Sequence, residues 1–363
     1  MKILVDLTSL SYHMSGIERY AASVTEQMLE QDNENEYILV FREEVHPLFQ
    51  KYKGKSKVQM KVLQGDNKLL FMQVILPLEL YKLKADRYLF FAFTSPILFF
   101  RKGIYSTIHD MGPWDSGDSM STLQKLYWRV SILVSAWVSQ GLITVSNFSK
   151  GRIAAITKVS PNKINVIHSA VHQNVIDRDK VSAQETRVKY LLPDKYIMDL
   201  STLEPRKNLQ FLLEAYEGVS DQVDYDLVLV GRKGWMMDEV LAKYASKDRI
   251  HITGFVEDEY VSHIYENALC FVFPSLYEGF GLPPVEALTL GTPVLAADAA
   301  SIPEVMMDRA SYFKNDDLEE LKDKLIHLEE NLPTMATQLN DFQKENYRFE
   351  TAARKVLKLI GAN

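Results

Sequence analysis

The run Phe273-Pro274-Ser275-Leu276-Tyr277-Glu278-Gly279-Phe280-Gly281-Leu282-Pro283-Pro284-Val285-Glu286-Ala287 decides how the rest of the sequence is read. It begins as the end of an apolar strand, Cys270–Phe273, turns through a glycine-punctuated loop and enters a helix at a proline, which suits a first helical turn. Strand, glycine loop and helix in that order form a unit of parallel α/β sheet. The helix start presents backbone N–H groups around Phe280, Gly281 and Leu282 at the positive end of the helix dipole, a place for a diphosphate. Glu278 and Glu286 are carboxylates able to accept hydrogen bonds from sugar hydroxyls. The pattern puts Glu278 near a sugar beside the phosphate and Glu286 near a ribose.

Working outward, the same alternation covers the chain. Upstream strands are expected at Lys2–Asp6, Tyr37–Phe41, Tyr88–Phe93, Ile104–His109, Leu142–Val145 and Ile164–His168. Helices are expected at Ile17–Gln31, Leu123–Ser139 and Asn147–Thr157, the last capped by Ser146. The uncharged stretch Val130–Ser149 has a spanning length, but Ser131, Ser135, Ser139, Gln140 and Gly141 interrupt it, so it reads as a helix followed by a buried strand. The charge-rich stretch from Asp177 to Arg187 reads as a linker. The pattern then restarts with strands at Tyr196–Leu200, Asp226–Val230, Ile250–Thr253, Cys270–Phe273 and Val294–Ala297. Helices are expected at Leu209–Glu217, Val240–Ala245, Val285–Leu290 and Leu318–Leu332. Two βα domains separated by a cleft follow, with ligands expected beyond the carboxyl ends of the strands.

Composition agrees with this and excludes other classes. The chain has 363 residues, 47% hydrophobic and 25% charged, enough for large cores and too apolar for disorder. A single cysteine, Cys270 in a strand, excludes a disulfide framework and a multi-cysteine zinc site. Gly54-Lys55-Ser56 lacks the earlier glycine of a P-loop, no G-x-G-x-x-G follows a strand, and there is no G-x-S-x-G elbow. Asp177-Arg178-Asp179 has the spacing of a metal–diphosphate site but falls in the linker, so no metal and no other cofactor is expected. The first 170 residues carry net charge +5 and the remainder −12. Part of the basic excess is Lys51, Lys53, Lys55, Lys57 and Lys61, which reads either as a solvated loop or as a contact with an anionic membrane. Leu98-Phe99-Phe100-Arg101-Lys102 likewise reads either as core strand with a basic turn or as an exposed apolar contact. The start Met1–Asp6 has too short an apolar run for a signal peptide, and a cytoplasmic location is expected, with or without peripheral contact with the inner membrane face. Nucleic acid is not an expected partner.

Other strand ends carry chemistry as well. Ser201-Thr202-Leu203-Glu204-Pro205-Arg206-Lys207-Asn208 follows a strand directly. Arg206 can clamp phosphate oxygens in a fork and Lys207 adds a point charge, together suited to a departing nucleotide diphosphate. Ser15-Gly16 opens the first long helix, where Gly16 allows close approach to the backbone. His109-Asp110 ends the Ile104 strand with an ionisable pair.

These residues resemble the retaining GT-B glycosyltransferases of family 4. The likeness runs through Gly16, Thr107-Ile108-His109-Asp110, Ile143–Lys150, Leu203–Asn208, Val230-Gly231, Gly254-Phe255-Val256, Glu278 to Glu286 and Ser301-Ile302-Pro303-Glu304-Val305. It implies an α/β fold of two Rossmann-like domains facing an interdomain cleft. Residues 1–175 would be the acceptor side, 176–345 the nucleotide-sugar domain, and 346–363 a crossover helix back to the first domain. It also implies a site in which Glu278 contacts the transferred sugar, Glu286 the ribose, Arg206 and Lys207 the diphosphate, the backbone at Val256 the base, and His109 the donor sugar. The implied reaction is transfer of a hexose, with retention, from a nucleotide diphosphate sugar to a glycan or lipid-linked acceptor of surface polysaccharide. GDP-mannose is the favoured donor; UDP-hexose, dTDP-rhamnose and a nucleotide-sugar epimerase or hydrolase are the alternatives. Two positions depart from the family pattern. Ser15 stands where many relatives have a second glycine, and Ser201 where some carry another arginine.

Overall fold

A computed structural model describes residues 1–362 apart from 13, 117–119, 177–179, 235 and 245. The chain forms two units, Met1–Ala170 with Glu345–Asn363, and Val171–Lys344. The Asp177-Arg178-Asp179 motif lies outside the described residues.

The first unit is built on seven strands: β1 Lys2–Asp6, β2 Glu36–Arg42, β3 Val58–Leu63, β4 Arg87–Phe90, β5 Ile104–Thr107, β6 Gly141–Thr144 and β7 Ile164–Val166. All neighbours are parallel, in the order β3-β2-β1-β4-β5-β6-β7. The second has six: β8 Tyr196–Leu200, β9 Asp226–Val230, β10 Ile250–Gly254, β11 Cys270–Phe273, β12 Val294–Ala297 and β13 Ser311–Phe313. They too are all parallel, in the order β10-β9-β8-β11-β12-β13. Central strands such as Leu89, Ile197, Val228 and Val272 are fully buried, as covered parallel sheets require. In each sheet the winding reverses once, between β1 and β4 and between β8 and β11, which leaves a crevice at the strands' carboxyl ends.

Local chemistry fixes the helix starts. Ser15 caps Gly16–Gln31 in a capping box with Glu18, whose Oε2 accepts from the Ser15 N–H at 2.7 Å. Ser121 and Gln124 form another for Thr122–Val138, and Ser146 caps Asn147–Thr157. The last helix, Phe349–Ile360, belongs to the first unit. It buries Ala352, Ala353, Val356, Leu357 and Ile360. Arg87 Nε donates to Ile360 O at 2.7 Å, Gln31 Nε2 donates to Glu350 O at 3.1 Å, and the Tyr20 and Phe349 rings meet edge to face.

Several expectations need correction. The lysine run is only in part a solvated loop, with Lys53, Lys55 and Lys57 exposed in the turn before β3. Lys51 ends the 3-10 turn Pro47–Tyr52 and pairs with Glu26 and Glu30, Lys55 sits over the Tyr52 ring, and Lys61 lies in β3. β3 is the sheet's edge; Val58, Met60 and Val62 alternate with Gln59 and Lys61 as a strand should, but the lysines leading into it obscure that short pattern. The stretch read as a linker is in part the helix Ala183–Tyr190, capped by Ser182, and its surface is too polar to show helical periodicity. The strand expected over Ile104–His109 ends at Thr107, so His109 stands in the loop beyond it. The helix expected over Leu318–Leu332 breaks after Ile326 and resumes at Leu328–Asn331. Leu98–Lys102 contains no strand; Phe99 is buried while Leu98 and Phe100 point outward.

Each sheet buries one carboxyl on the strand beside its reversal. Asp6 Oδ1 accepts from the Thr8 N–H at 3.0 Å, and burial pushes its pKa up to about 6. Asp199 Oδ1 accepts from Ser201 Oγ at 2.7 Å; its Oδ2 is buried with no partner, and burial pushes this group up to about 7. A carboxyl with a raised native pKa holds its proton longer in the folded than in the unfolded chain. It therefore costs stability as pH climbs from about 4, where the unfolded group ionises, to about 7. The substitution Asp199→Asn removes that titration. We expect the melting temperature of Asp199→Asn relative to the parent to rise between pH 5 and pH 8. The scale is about 2–4 °C per kcal/mol relieved, and a difference independent of pH would contradict the assignment.

Candidate active site

The two motifs singled out in the second half meet at the reversal point of its sheet. Ser201–Asn208 follows β8 and Pro274–Gly281 follows β11, and these strands are neighbours. A backbone bond ties the loops together, Leu276 N to Arg206 O at 2.9 Å. Pro205 opens a short 3-10 turn, Pro205–Lys207, and Asn208 adopts φ 55° before the helix Leu209–Glu217. That turn swings Arg206 and Lys207 back over the sheet's end.

Glu278 is the centre of the cluster. Its Oε1 accepts from Lys207 Nζ at 2.6 Å and from Ser275 Oγ at 2.7 Å, and Arg206 Nη1 lies 3.1 Å away. None of these three contacts reaches Oε2. Ser301 Oγ donates to the Glu278 carbonyl at 3.0 Å and holds the loop from the far side. Burial alone would push the Glu278 pKa up. The charges of Lys207 and Arg206 outweigh it and hold the carboxyl down at about 2, fully ionised at neutral pH. Lys207 is nearly buried and lies over the Phe273 ring. Arg206 is the more exposed cation. Its Nε meets the buried Glu204 at 2.5 Å and its Nη1 donates to Tyr277 O at 3.0 Å. The sequence suggests an excess of positive charge here. The folded cluster balances Arg206 and Lys207 with Glu204 and Glu278, so it orders donors and acceptors rather than presenting bare cations.

The helix Leu282–Thr289 starts beside this cluster. Gly281 caps it at φ 88°, and a Cβ there would lie 2.6 Å from Ile302 Cδ1, so both conformation and space call for glycine. Pro283 and Pro284 carry no N–H, which restricts the donors of this helix start to residues on either side of them. Glu286 lies one turn in and accepts from the buried Tyr265 hydroxyl at 3.2 Å. Along the same sheet edge, Gly231 approaches β8 so closely that a Cβ would lie 1.8 Å from Ser201 O. Beyond β10, Val256 is buried while Phe255 is exposed under the Arg232 guanidinium, 5.6 Å away.

The remaining candidates belong to the first unit. Gly16 is exposed at the start of its helix, just after the Ser15 cap. His109 Nε2 lies 2.8 Å from Phe91 O, so it carries the proton and donates, and its ring packs edge to face on Tyr20. Burial lowers its pKa, which keeps the imidazole neutral. Asp110 accepts from Gly112 N at 2.8 Å and orders the loop.

The structure thus joins Arg206, Lys207 and Glu278 in direct contact, and places Glu286, Phe280, Gly281, Leu282 and Val256 along the same sheet edge. Sequence reasoning missed four partners. Glu204 and Ser275 lie inside the quoted motifs, but nothing in the sequence singles them out as partners of Arg206 and Glu278. Tyr265 arrives from a helix with no local signal, and Ser301 opens another quoted motif in which nothing local ties it to Glu278.

Known proteins share the fold and part of the sequence. The family model described as glycosyl transferases group 1 matches residues 182–349. O-antigen chain mannosyltransferase B of Escherichia coli is 31% identical over 209 residues, 56% of this chain and 55% of that protein. O-antigen chain mannosyltransferase RfbU of Salmonella typhimurium is 28% identical over 239 residues, 65% of this chain and 63% of that protein. The matched stretches therefore span only about half to under two thirds of these relatives. In structure, Anabaena Alr3699/HepE in complex with UDP and glucose superposes over 100% of both chains with TM-score 0.74 at 15% identity. Sucrose-phosphate synthase from Thermosynechococcus elongatus superposes over 99% of this chain and 98% of its own with TM-score 0.73 at 16% identity. Residues 182–349, nearly all of them in the second unit, are thus similar to the glycosyl transferases group 1 family, on a chain with the GT-B fold.

Proposed function

We propose that the chain is a retaining glycosyltransferase that moves a hexose, with GDP-mannose favoured as donor, to a glycan or lipid-linked saccharide in surface polysaccharide assembly. The observation that carries this is the Glu278 cluster: an ionised carboxylate held by Lys207, Arg206 and Ser275 at the reversal point of a parallel sheet. The three donors leave Oε2 to accept from the hydroxyls of the transferred sugar. Arg206, the more exposed cation, meets the diphosphate together with the N–H groups around Phe280, Gly281 and Leu282, and Lys207 holds Glu278 in place. Glu286 takes the ribose and the backbone at Val256 the base. His109 and Gly16 serve the sugar end of the donor. Charge on the leaving diphosphate is met by these groups, so the reading uses no metal ion and no cofactor. Catalysis is then positioning and charge stabilisation. The mannosyltransferase names of the O-antigen relatives support mannose as the sugar.

A thermal-shift panel of GDP-, UDP- and dTDP-sugars tests the donor. A ligand at 100 times its Kd adds about 2.7 kcal/mol. We expect GDP-mannose to give the largest shift; a larger one from UDP-glucose or dTDP-rhamnose would reassign the donor. Release of free sugar at the full rate without any acceptor would indicate a hydrolase instead.

Two substitutions separate the carboxylates. Glu286→Ala should weaken free-nucleotide binding by about 1.5–3 kcal/mol, the loss of a hydrogen bond to a charged group. Glu278→Gln keeps an acceptor for Lys207 and should leave that affinity within a few-fold while the transfer rate falls. Titration calorimetry with free nucleotide decides, and equal losses in both variants would contradict the division.

His109→Ala tests the first unit. Its contact is assigned to the sugar, so nucleotide affinity should hold while the transfer rate drops about 10–100-fold, or about 1.4–2.7 kcal/mol. An unchanged rate would return the ring to packing on Tyr20 and bonding to Phe91 O.

A further inference from the structure

The first unit carries a surface that its own core leaves uncovered. Residues 68–82 form one helical run, Lys68–Leu70, a π turn Phe71–Ile75 and Leu76–Lys82. Its inner side buries Phe71, Leu76 and Leu80, while Leu70, Val74 and Leu78, spaced four apart, are 53%, 43% and 57% exposed. Beside it runs the helix Thr122–Val138. Its outer stripe is Leu123, Leu126, Val130 and Trp137, of which Leu123 is 80% and Trp137 64% exposed. Between them the loop after Pro96 turns out Leu98 and Phe100.

These segments are neighbours by direct bonds. Gln73 Nε2 donates to Tyr127 Oη at 2.9 Å, and Gln73 Oε1 accepts from Ile97 N at 2.8 Å. Tyr81 Oη accepts from Phe100 N at 2.9 Å, and the Arg101 guanidinium lies over the Tyr81 ring. Exposed apolar side chains on adjoining segments form a patch of a kind that a soluble surface rarely keeps.

Charge selects the occupant. Residues 68–84, 98–102 and 122–138 together hold seven lysines and arginines and one acid, Glu79, in a chain whose net charge is −7. Glu79 itself pairs with Lys82 at 2.6 Å. A second copy docking through this face would set like charges against each other. A neutral glycan would have no use for the aliphatic stripes. Leucines and a tryptophan flanked by lysine and arginine fit the boundary of a bilayer with anionic headgroups, the pattern of an interfacial helix that lies on the membrane. Among the described residues no helix is long and apolar enough to cross one.

We propose that the face formed by residues 68–82, the Leu98–Lys102 loop and the helix Thr122–Val138 lies on an anionic lipid surface. This moves the membrane contact away from Lys51–Lys61, where Lys51 is engaged with Glu26 and Glu30, Lys55 with the Tyr52 ring and Lys57 with Asn33 O, and no exposed apolar side chain lies among them. The proposal does not depend on donor or reaction. Its link to the proposed function is that a lipid-linked acceptor would be met at the membrane.

The test is flotation of the full chain with vesicles, read without any activity assay. The parent should bind vesicles containing phosphatidylglycerol at least ten-fold more strongly than pure phosphatidylcholine, and lose that binding in 0.5 M salt. The double variants Leu123→Ser with Leu126→Ser, and Leu98→Ser with Phe100→Ser, alter exposed side chains and should keep the parent's melting temperature. Each should bind the anionic vesicles at least ten-fold more weakly. Lys51→Gln should bind as the parent does. Absence of parent binding, equal binding to both lipids, or unchanged binding in both double variants would overturn the proposal. So would a concentration-dependent dimer, seen by light scattering, that the same substitutions dissolve, since the face would then be a contact between copies.

Discussion

The second unit depends on keeping one nearly buried carboxylate ionised. Glu278 sits where solvent would normally be needed to hold its charge, and the replacement is local: Lys207, Arg206 and Ser275 converge on one oxygen. Such a group tolerates no slack, because removing a partner leaves a buried charge uncompensated. The surrounding backbone meets that demand. Pro205 sets the 3-10 turn that presents both cations, the Leu276–Arg206 bond locks the loops of β8 and β11, and Ser301 fixes the Glu278 carbonyl. The parallel order and single reversal of the sheet bring those two loops side by side although their residues are about seventy positions apart.

The same constraint explains what could be read from the amino-acid sequence. Strands covered on both faces are continuous apolar runs, so β1, β8, β9, β11 and β12 were legible to the residue. β3, at an edge with Lys61 within it, was hidden, as was the helix Ala183–Tyr190, whose surface is almost wholly polar. Motif residues were legible because each follows a strand. The cluster's neutrality was not. Glu204 stands two residues before Arg206 and reads as one more polar position until the turn at Pro205 folds it against the guanidinium. Tyr265 and Ser301 owe their places to packing between elements, which no local spacing encodes.

Ser15 shows how a departure from a family pattern can have a local cause. Where many relatives carry a second glycine, this chain places a residue whose side chain and N–H close a capping box with Glu18. The helix Gly16–Gln31 also supports Phe349–Ile360 through Gln31 and, through Tyr20, packs against His109. A firmer start to that helix therefore steadies both the C-terminal helix and the imidazole. The His109 ring donates to a carbonyl and abuts an aromatic edge, an arrangement that fixes orientation and tautomer together.

The two halves also divide their charge by use. In the second unit opposite charges are paired within the site, which under the proposed function a diphosphate enters and leaves. A bare excess of cations would bind product as tightly as substrate, and binding both equally well does not speed the chemical step. In the first unit the basic side chains around residues 68–82 and 122–138 lie at the rim of aliphatic stripes and are mostly exposed, where they attract without having to be desolvated. Charge balanced inside a pocket gives geometry, and charge left in excess at a surface gives attraction.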